Sequence, residues 1–174
     1  EHQGNNAAIA LAAAEGFVEK ALPYEVVKNG FGNVCLLGRF EVLASSPLLI
    51  VDGAHNPPGA MAAAKTLYKS FSVGGKLIFI LGMTSEKKTE WMLECLEANK
   101  ADLVICTEAA TPRAMPASDL AAAARKVCSD VRIESQPQVA LEVALSYAEP
   151  EDVIMGTGSL YVVGAIRDAY MSFR

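Results

Sequence analysis

Long runs of Lys and Arg are missing from this sequence. Its 174 residues carry 15 Lys and Arg against 20 Asp and Glu, a net charge of -5. No stretch is basic enough to follow a phosphate backbone, which argues against nucleic acid as a partner. Long apolar runs are missing too. None reaches the roughly 18 residues of a membrane span, and the opening Glu1-His2-Gln3-Gly4-Asn5-Asn6 has neither the basic nor the apolar region of a signal peptide. A cytosolic protein is expected. Cysteine is sparse: Cys35, Cys95, Cys106 and Cys128 stand far apart, three of them in apolar stretches, and form no C-x-x-C pair. Reduced packing residues fit that spacing better than disulfides or zinc ligands. Repeats and low-complexity tracts are absent. What is present, 52% apolar and 20% charged residues, is the balance of one compact domain whose core stands on packing alone.

Residues 5–20 (NNAAIALAAAEGFVEK) read as a helix with Asn5 or Asn6 as N-cap. After Pro23 the chain breaks into short, Gly-punctuated pieces, which places a boundary near 22–38. From Arg39 onward, apolar runs of strand length alternate with helical patterns. The runs are RFEVLA (39–44), LLIVD (48–52), KLIFILG (76–82), ADLVICT (101–107), VRIES (131–135) and DVIMG (152–156), and the helical patterns cover 57–71, 88–98, 116–128, 137–148 and 159–172. Continuous apolar strands separated by helices predict a parallel sheet covered on both faces. Only Ser45-Ser46-Pro47 separates the first two runs, too little for a parallel crossover, so the first strand is expected to be antiparallel. The prediction is an α/β fold with a Rossmann-like six-stranded sheet, five strands parallel and one antiparallel.

Ligands of such sheets gather beyond the carboxyl ends of the strands. The richest loop there is Asp52-Gly53-Ala54-His55-Asn56-Pro57-Pro58-Gly59, which offers a carboxylate, an imidazole and an amide within five residues. A ribose hydroxyl or a phosphate could use all three. In the plainer alternative, Asp52 and Asn56 cap the next helix and satisfy turn amides while His55 faces solvent. Gly156-Thr157-Gly158-Ser159, opening the last helix after a strand, offers amides and a hydroxyl to an anion, or is an ordinary capped turn. Two nucleotide signatures fail. Gly59 to Lys65-Thr66 has Ala64 where a P-loop needs Gly, and its Ala-rich text is helical. Gly156-x-Gly158 has Tyr161 in the third-glycine place of a dinucleotide fingerprint.

Taken in order, Asn6-Ala7-Ala8-Ile9-Ala10-Leu11-Ala12-Ala13, Gly38-Arg39-Phe40-Glu41-Val42, Val51-Asp52-Gly53-Ala54-His55-Asn56-Pro57 and Gly156-Thr157-Gly158-Ser159-Leu160-Tyr161 with Val163-Gly164 resemble the C-terminal part of the folylpolyglutamate synthase / dihydrofolate synthase family, of the Mur ligase superfamily. The resemblance covers nearly the whole chain. It implies residues 1–22 as the last helix of a central ATPase domain, 23–38 as linker and 39–174 as a Mur ligase C-terminal domain. It also implies an ATP-dependent ligase of folate metabolism that phosphorylates a folate carboxylate and lets the amine of L-glutamate attack the acyl phosphate, with Mg²⁺ serving the phosphoryl transfer. Folate or dihydropteroate would be the acceptor, and a monomer is expected. Carried over by position, Asn6 is similar to an adenine contact, Arg39 to an Arg that reaches the ATP phosphates, Asp52 to a nucleotide contact, His55 to a functionally required His, and Ser159 to a contact for the incoming glutamate. The chemistry suits these types: a guanidinium fork stabilises charge on a transferred phosphoryl group, and a carboxylate accepts from ribose hydroxyls.

One motif departs from the family. Gly82-Met83-Thr84-Ser85-Glu86-Lys87-Lys88 has Lys88 where an acid is usual. The chain also shows no P-loop, no metal-ligand set and no folate segment, features the family carries upstream. A C-terminal lobe that closes over ATP held elsewhere, and is inactive alone, is the expectation. Two other classes stay open: a sibling ligase that joins amino acids to cell-wall precursors, against which GRFE followed closely by DGAHNP speaks, and a non-catalytic α/β binding module. The coding sequence ahead of Glu1 separates such a module from the C-terminal lobe of a longer ligase.

Overall fold

The computed structural model describes residues 2–71, 74–85 and 88–173, and the chain divides into two compact units, Glu1–Leu37 and Gly38–Arg174. In the first, α1 (His2–Val18) is followed by α2 (Tyr24–Gly32). Asn5 and Asn6 therefore lie inside the first helix, not at its cap, because the helix starts earlier, at His2. Residues 23–38, expected to be a linker, hold a nine-residue helix. Pro23 precedes its first turn and Glu25 complements the dipole there, and these outweigh the two glycines near its end.

The second unit is built on a six-stranded sheet of order β1-β2-β6-β3-β4-β5. The strands are β1 (Glu41–Ser45), β2 (Leu48–Asp52), β3 (Leu77–Leu81), β4 (Leu103–Cys106), β5 (Val131–Ile133) and β6 (Val153–Thr157). β1 runs antiparallel to β2, with Glu41 opposite Val51, and the other pairings are parallel. The predicted split of five parallel strands and one antiparallel strand is the one observed. Helices α3 (Pro57–Ser70), α4 (Thr89–Cys95), α5 (Ala117–Ala124), α6 (Pro137–Tyr147) and α7 (Leu160–Ser172) complete the unit.

The period-2 alternation of the strands sorts the core into two layers. Ile50, Phe79, Leu81, Val104 and Met155 pack with Ala60, Ala63 and Leu67 of α3, Met92 and Leu93 of α4 and Leu120 of α5. Val51, Ile78, Ile80, Ile105 and Ile154 pack on the other face with Leu141 of α6 and Val162, Val163 and Ile166 of α7. In α3 the buried set Ala60, Ala63, Ala64 and Leu67 repeats at helical spacing, and its small side chains let the backbone sit close to the sheet. Residues 60–65, the failed P-loop text, lie within this helix, and Thr66 Oγ1 donates to Ala62 O at 2.8 Å.

Three of the four cysteines are at least half-buried, as packing residues should be, while Cys35 is exposed. Burial pushes the Cys106 thiol up to about 12 and raises Cys128 and Cys95 as well. The thiolate is the reactive form. With a disulfide reagent at pH 8, Cys35 is expected to react promptly and Cys106 only after unfolding; prompt reaction of all four would overturn this packing. Tyr68 is likewise raised to about 12, chiefly by burial and then by the Glu97 charge. Folding thus holds protons that the unfolded chain releases near pH 9 and 10, so this share of stability is complete below about pH 9 and lost as pH rises toward 12. Denaturant melts at pH 8 and 10.5 read the difference.

Candidate functional site

β6 is the strand at which the layers divide. Its helix, α7, lies on the face opposite α3 and α4, which follow the neighbouring strands β2 and β3. Adjacent chains leaving in opposite directions open a crevice at the carboxyl edge, the switch point of an open α/β sheet. The loops after β2 and β6 are those that carry DGAHNP and GTGS.

Asp52 ends β2, 6% exposed, paired in register with Thr157. Its Oδ1 accepts from Ala54 N at 2.9 Å and its Oδ2 from Phe40 N at 2.8 Å. One carboxylate thus shapes its own loop and binds the turn that precedes β1. Gly53 N donates to Gly38 O at 2.7 Å, a second stitch between the same two segments. Gly38 stands at φ +67 and Phe40 at φ +49, so the chain folds into a left-handed turn there instead of extending. The strand expected from Arg39 therefore begins only at Glu41, and Arg39 occupies the turn.

Held in this way, Arg39 and His55 meet at one atom. Arg39 Nη1 lies 3.5 Å from Gly53 O, and His55 Nδ1 lies 2.9 Å from the same oxygen. A carbonyl can only accept, so this contact assigns the neutral ring's proton to Nδ1 and leaves Nε2 as its acceptor. Both side chains belong to exposed residues at the rim, while the carboxylate of Asp52 sits below them. Asn56 caps α3, its Oδ1 accepting from Gly59 N at 2.9 Å, with Pro57 in the first turn. The plainer reading of this loop is thus correct in its contacts: Asp52 and Asn56 do bind turn amides and His55 does face solvent. The same contacts bring the Arg39 guanidinium of one turn beside the imidazole and carboxylate of the DGAHNP loop.

Across the crevice Ser159 is buried and caps α7, its Oγ accepting from Tyr161 N at 3.3 Å. Gly158 stands at φ +100, and a Cβ there would lie 2.6 Å from the carbonyl oxygen of Gly82, so only glycine lets the loops after β6 and β3 touch. A Cβ on Gly38 would come within 2.7 Å of Val163 Cγ1, and one on Gly53 would strike Leu160. The start of α7 consequently closes over the Arg39 turn and the DGAHNP loop. Ser159 and the Arg39–Asp52–His55 group flank one crevice. Asn6 lies on α1, exposed, in the other unit.

Two groups here escaped the sequence reading. Glu41 accepts from Gly38 N at 2.7 Å and pairs with Arg167 of α7 at 3.0 Å. Thr157 Oγ1 is fully buried and has no hydrogen-bond partner among the described residues. Glu41 stood within the quoted GRFE text and Thr157 within GTGS, but neither type stands out without the fold. Of the departing loop, Thr84 bridges to Ala114, Lys88 lies over the Trp91 ring at 5.7 Å, and Glu86 and Lys87 fall outside the described residues. Among the described residues no three His, Cys, Asp or Glu side chains converge as for a metal ion, and no helix is long and apolar enough to cross a membrane. A depression of about 470 Å³ lined by Lys65, Tyr68, Lys69 and Lys100 of the α3 face contains none of these site residues.

The sheet order and the switch-point crevice define a domain of the doubly wound α/β class. Over residues 38–160 the chain matches the family model of the Mur ligase glutamate ligase domain, and it belongs to that family. It is 33% identical to the dihydrofolate synthase/folylpolyglutamate synthase of Mycobacterium tuberculosis over 98% of its own length and 38% of that protein's. Among solved structures it is similar to M. tuberculosis folylpolyglutamate synthase complexed with ADP and AMPPCP, with 34% identity and a TM-score of 0.87, covering 98% of this chain and 40% of that one. A bifunctional folylpolyglutamate synthase/dihydrofolate synthase with Mn, AMPPNP and L-glutamate bound matches with 29% identity and a TM-score of 0.77 over 93% of this chain and 37% of that one. The chain thus spans about two fifths of the length of these relatives.

Proposed function

We propose that this chain is the C-terminal lobe of a cytosolic, monomeric, ADP-forming ligase that joins L-glutamate to a folate or dihydropteroate carboxylate. The observation that carries the reading is the meeting of Arg39 and His55 at the Gly53 carbonyl, beside the Asp52 carboxylate that holds both segments, on the rim of a switch-point crevice. In the reaction, a carboxylate oxygen of the acceptor attacks the γ-phosphorus of ATP and ADP leaves. The amine of glutamate then attacks the acyl carbon, phosphate leaves, and the amine's protons pass to solvent. Arg39 extends its fork from the turn to the transferring phosphoryl group, whose charge it stabilises. Asp52 holds the turn and accepts from a nucleotide hydroxyl. His55, with Nε2 as acceptor, serves the substrate side of the same rim, and Ser159 at the start of α7 contacts the incoming glutamate. Asn6 is assigned the adenine contact on the resemblance alone.

Magnesium would neutralise phosphate charge in the reaction. Among the described residues no cluster of His, Cys, Asp or Glu stands together to hold it. ATP and metal are instead held mainly by an upstream domain, in keeping with the two-fifths coverage of the relatives.

The deciding experiment is an assay of the longer protein for ADP release that requires folate acceptor, glutamate and Mg-ATP together. Release independent of either co-substrate would discard the reading. Residues 1–174 alone are expected to bind Mg-ATP no better than roughly millimolar, because most phosphate contacts lie elsewhere. Calorimetry showing micromolar binding would place the nucleotide on this chain instead.

A further inference from the structure

We infer that Glu41 is a positioning residue that sets the reach of Arg39, acting through the backbone of the turn and braced by Arg167. The inference rests on the function proposed for Arg39 above.

Arg39 stands between two left-handed residues, Gly38 at φ +67 and Phe40 at φ +49. Phe40 is not a glycine, so this conformation persists only where its surroundings hold it. Three hydrogen bonds do so. Gly53 N donates to Gly38 O, and Phe40 N donates to Asp52 Oδ2, both from the DGAHNP side. The third comes from the opposite side, where Gly38 N donates to Glu41 Oε2 at 2.7 Å. Without it the first left-handed residue is held at its carbonyl only.

Glu41 can serve as that anchor because its other oxygen, Oε1, is fixed by Arg167 Nε at 3.0 Å. The side chains of Glu41 and Arg167 are 19% and 27% exposed, so water competes weakly for either. Arg167 belongs to α7, whose first turn carries Ser159. One carboxylate therefore joins the turn that presents Arg39 to the helix that begins at Ser159. A half-buried ion pair is a poor source of net stability against apolar replacements, but it fixes geometry. A donor misplaced by about an ångström can cost a large factor in turnover while leaving binding little changed.

The test is a double-mutant cycle in the longer protein. Glu41→Gln keeps shape but presents an amide N–H to one of two donors, Gly38 N or Arg167 Nε. It is expected to lower kcat about 10-fold with KM for ATP within about twofold. In an Arg39→Ala background the same change is expected to have no further effect. Arg167→Lys, which keeps the charge but not the Nε geometry, is expected to fall between wild type and Glu41→Gln, and it replaces Glu41→Gln should that variant fail to fold. Independently of activity, hydrogen exchange at the Gly38 amide is expected to be at least 10-fold faster in Glu41→Gln. An equal loss in both backgrounds, an unchanged kcat in Glu41→Gln, or unaltered Gly38 exchange would each overturn the proposal while leaving the ligase reading intact. A normal kcat in Arg39→Ala itself is the separate signature of failure of that reading, and the positioning role falls with it.

Discussion

Arg39→Ala in the longer protein is expected to lower kcat by about 100-fold or more with little change in thermal stability. Loss of one preorganised electrostatic donor from a charge-developing step costs roughly 2.7–4 kcal/mol. The structural side of the ledger is small: Arg39 is exposed, and its one described contact, to Gly53 O, is 3.5 Å long, at the outer limit of a hydrogen bond. Such a contact contributes little to folding. The turn itself does not depend on the guanidinium, because its hydrogen bonds come from the backbone of Gly38 and Phe40. Arg39→Lys is expected to recover only part of the loss, since an ammonium cannot reproduce a planar fork. Steady-state ligase kinetics and a thermal melt of the same variants provide both readings. Near wild-type turnover in Arg39→Ala would remove Arg39 from the site, and a large fall in melting temperature would return it to a structural role.

Much of this frame was legible because burial leaves a direct mark on composition. Every residue of β3 and β6 is buried, and such strands appear as unbroken apolar runs flanked by helical text. The three residues between the runs RFEVLA and LLIVD, two between β1 and β2 as folded, dictated the antiparallel pair by reach alone. What was not legible depends on backbone conformation and on distant partners. A left-handed phenylalanine has no local signature, so the text reads as a strand from Arg39, whereas Phe40 at φ +49 holds Arg39 in a turn. The helix Tyr24–Gly32 was hidden by glycines that propensity counts against a helix. Strand ends also moved inward: β5 is three residues where five were expected, since only Val131–Ile133 finds partners on β4. Within the site, the candidate residues could be read from DGAHNP as types. The meeting of His55 with Arg39 at the Gly53 carbonyl could not, because it arises from Asp52 reaching back to Phe40 across 12 positions of chain.

That reach makes Asp52 the residue at which folding and function are least separable, and its replacement is expected to show both. Asp52→Ala removes the acceptor of two amides, Phe40 N and Ala54 N, at a site 6% exposed. Hydrogen bonds to a charged group contribute about 1.5–3 kcal/mol each, and a buried donor left unpaired adds its desolvation cost. A loss of about 3–6 kcal/mol follows for the pair, which for a chain of this size is a fall of roughly 6–24 °C in Tm. Activity is expected to fall at least as far as in Arg39→Ala, because the turn that presents Arg39 loses one of its three anchors and, in the role proposed for Asp52, the nucleotide loses a carboxylate contact. Asp52→Asn keeps one oxygen acceptor but turns an N–H₂ toward the second amide, so it is expected to recover about half the stability and little of the activity. The two residues should therefore separate cleanly on a plot of kcat against Tm, with Arg39→Ala displaced along the kinetic axis alone and Asp52→Ala along both. Melting curves and ligase rates for the three variants supply the plot, and an Asp52→Ala protein that melts with the wild type would show that the carboxylate does not hold the Phe40 turn.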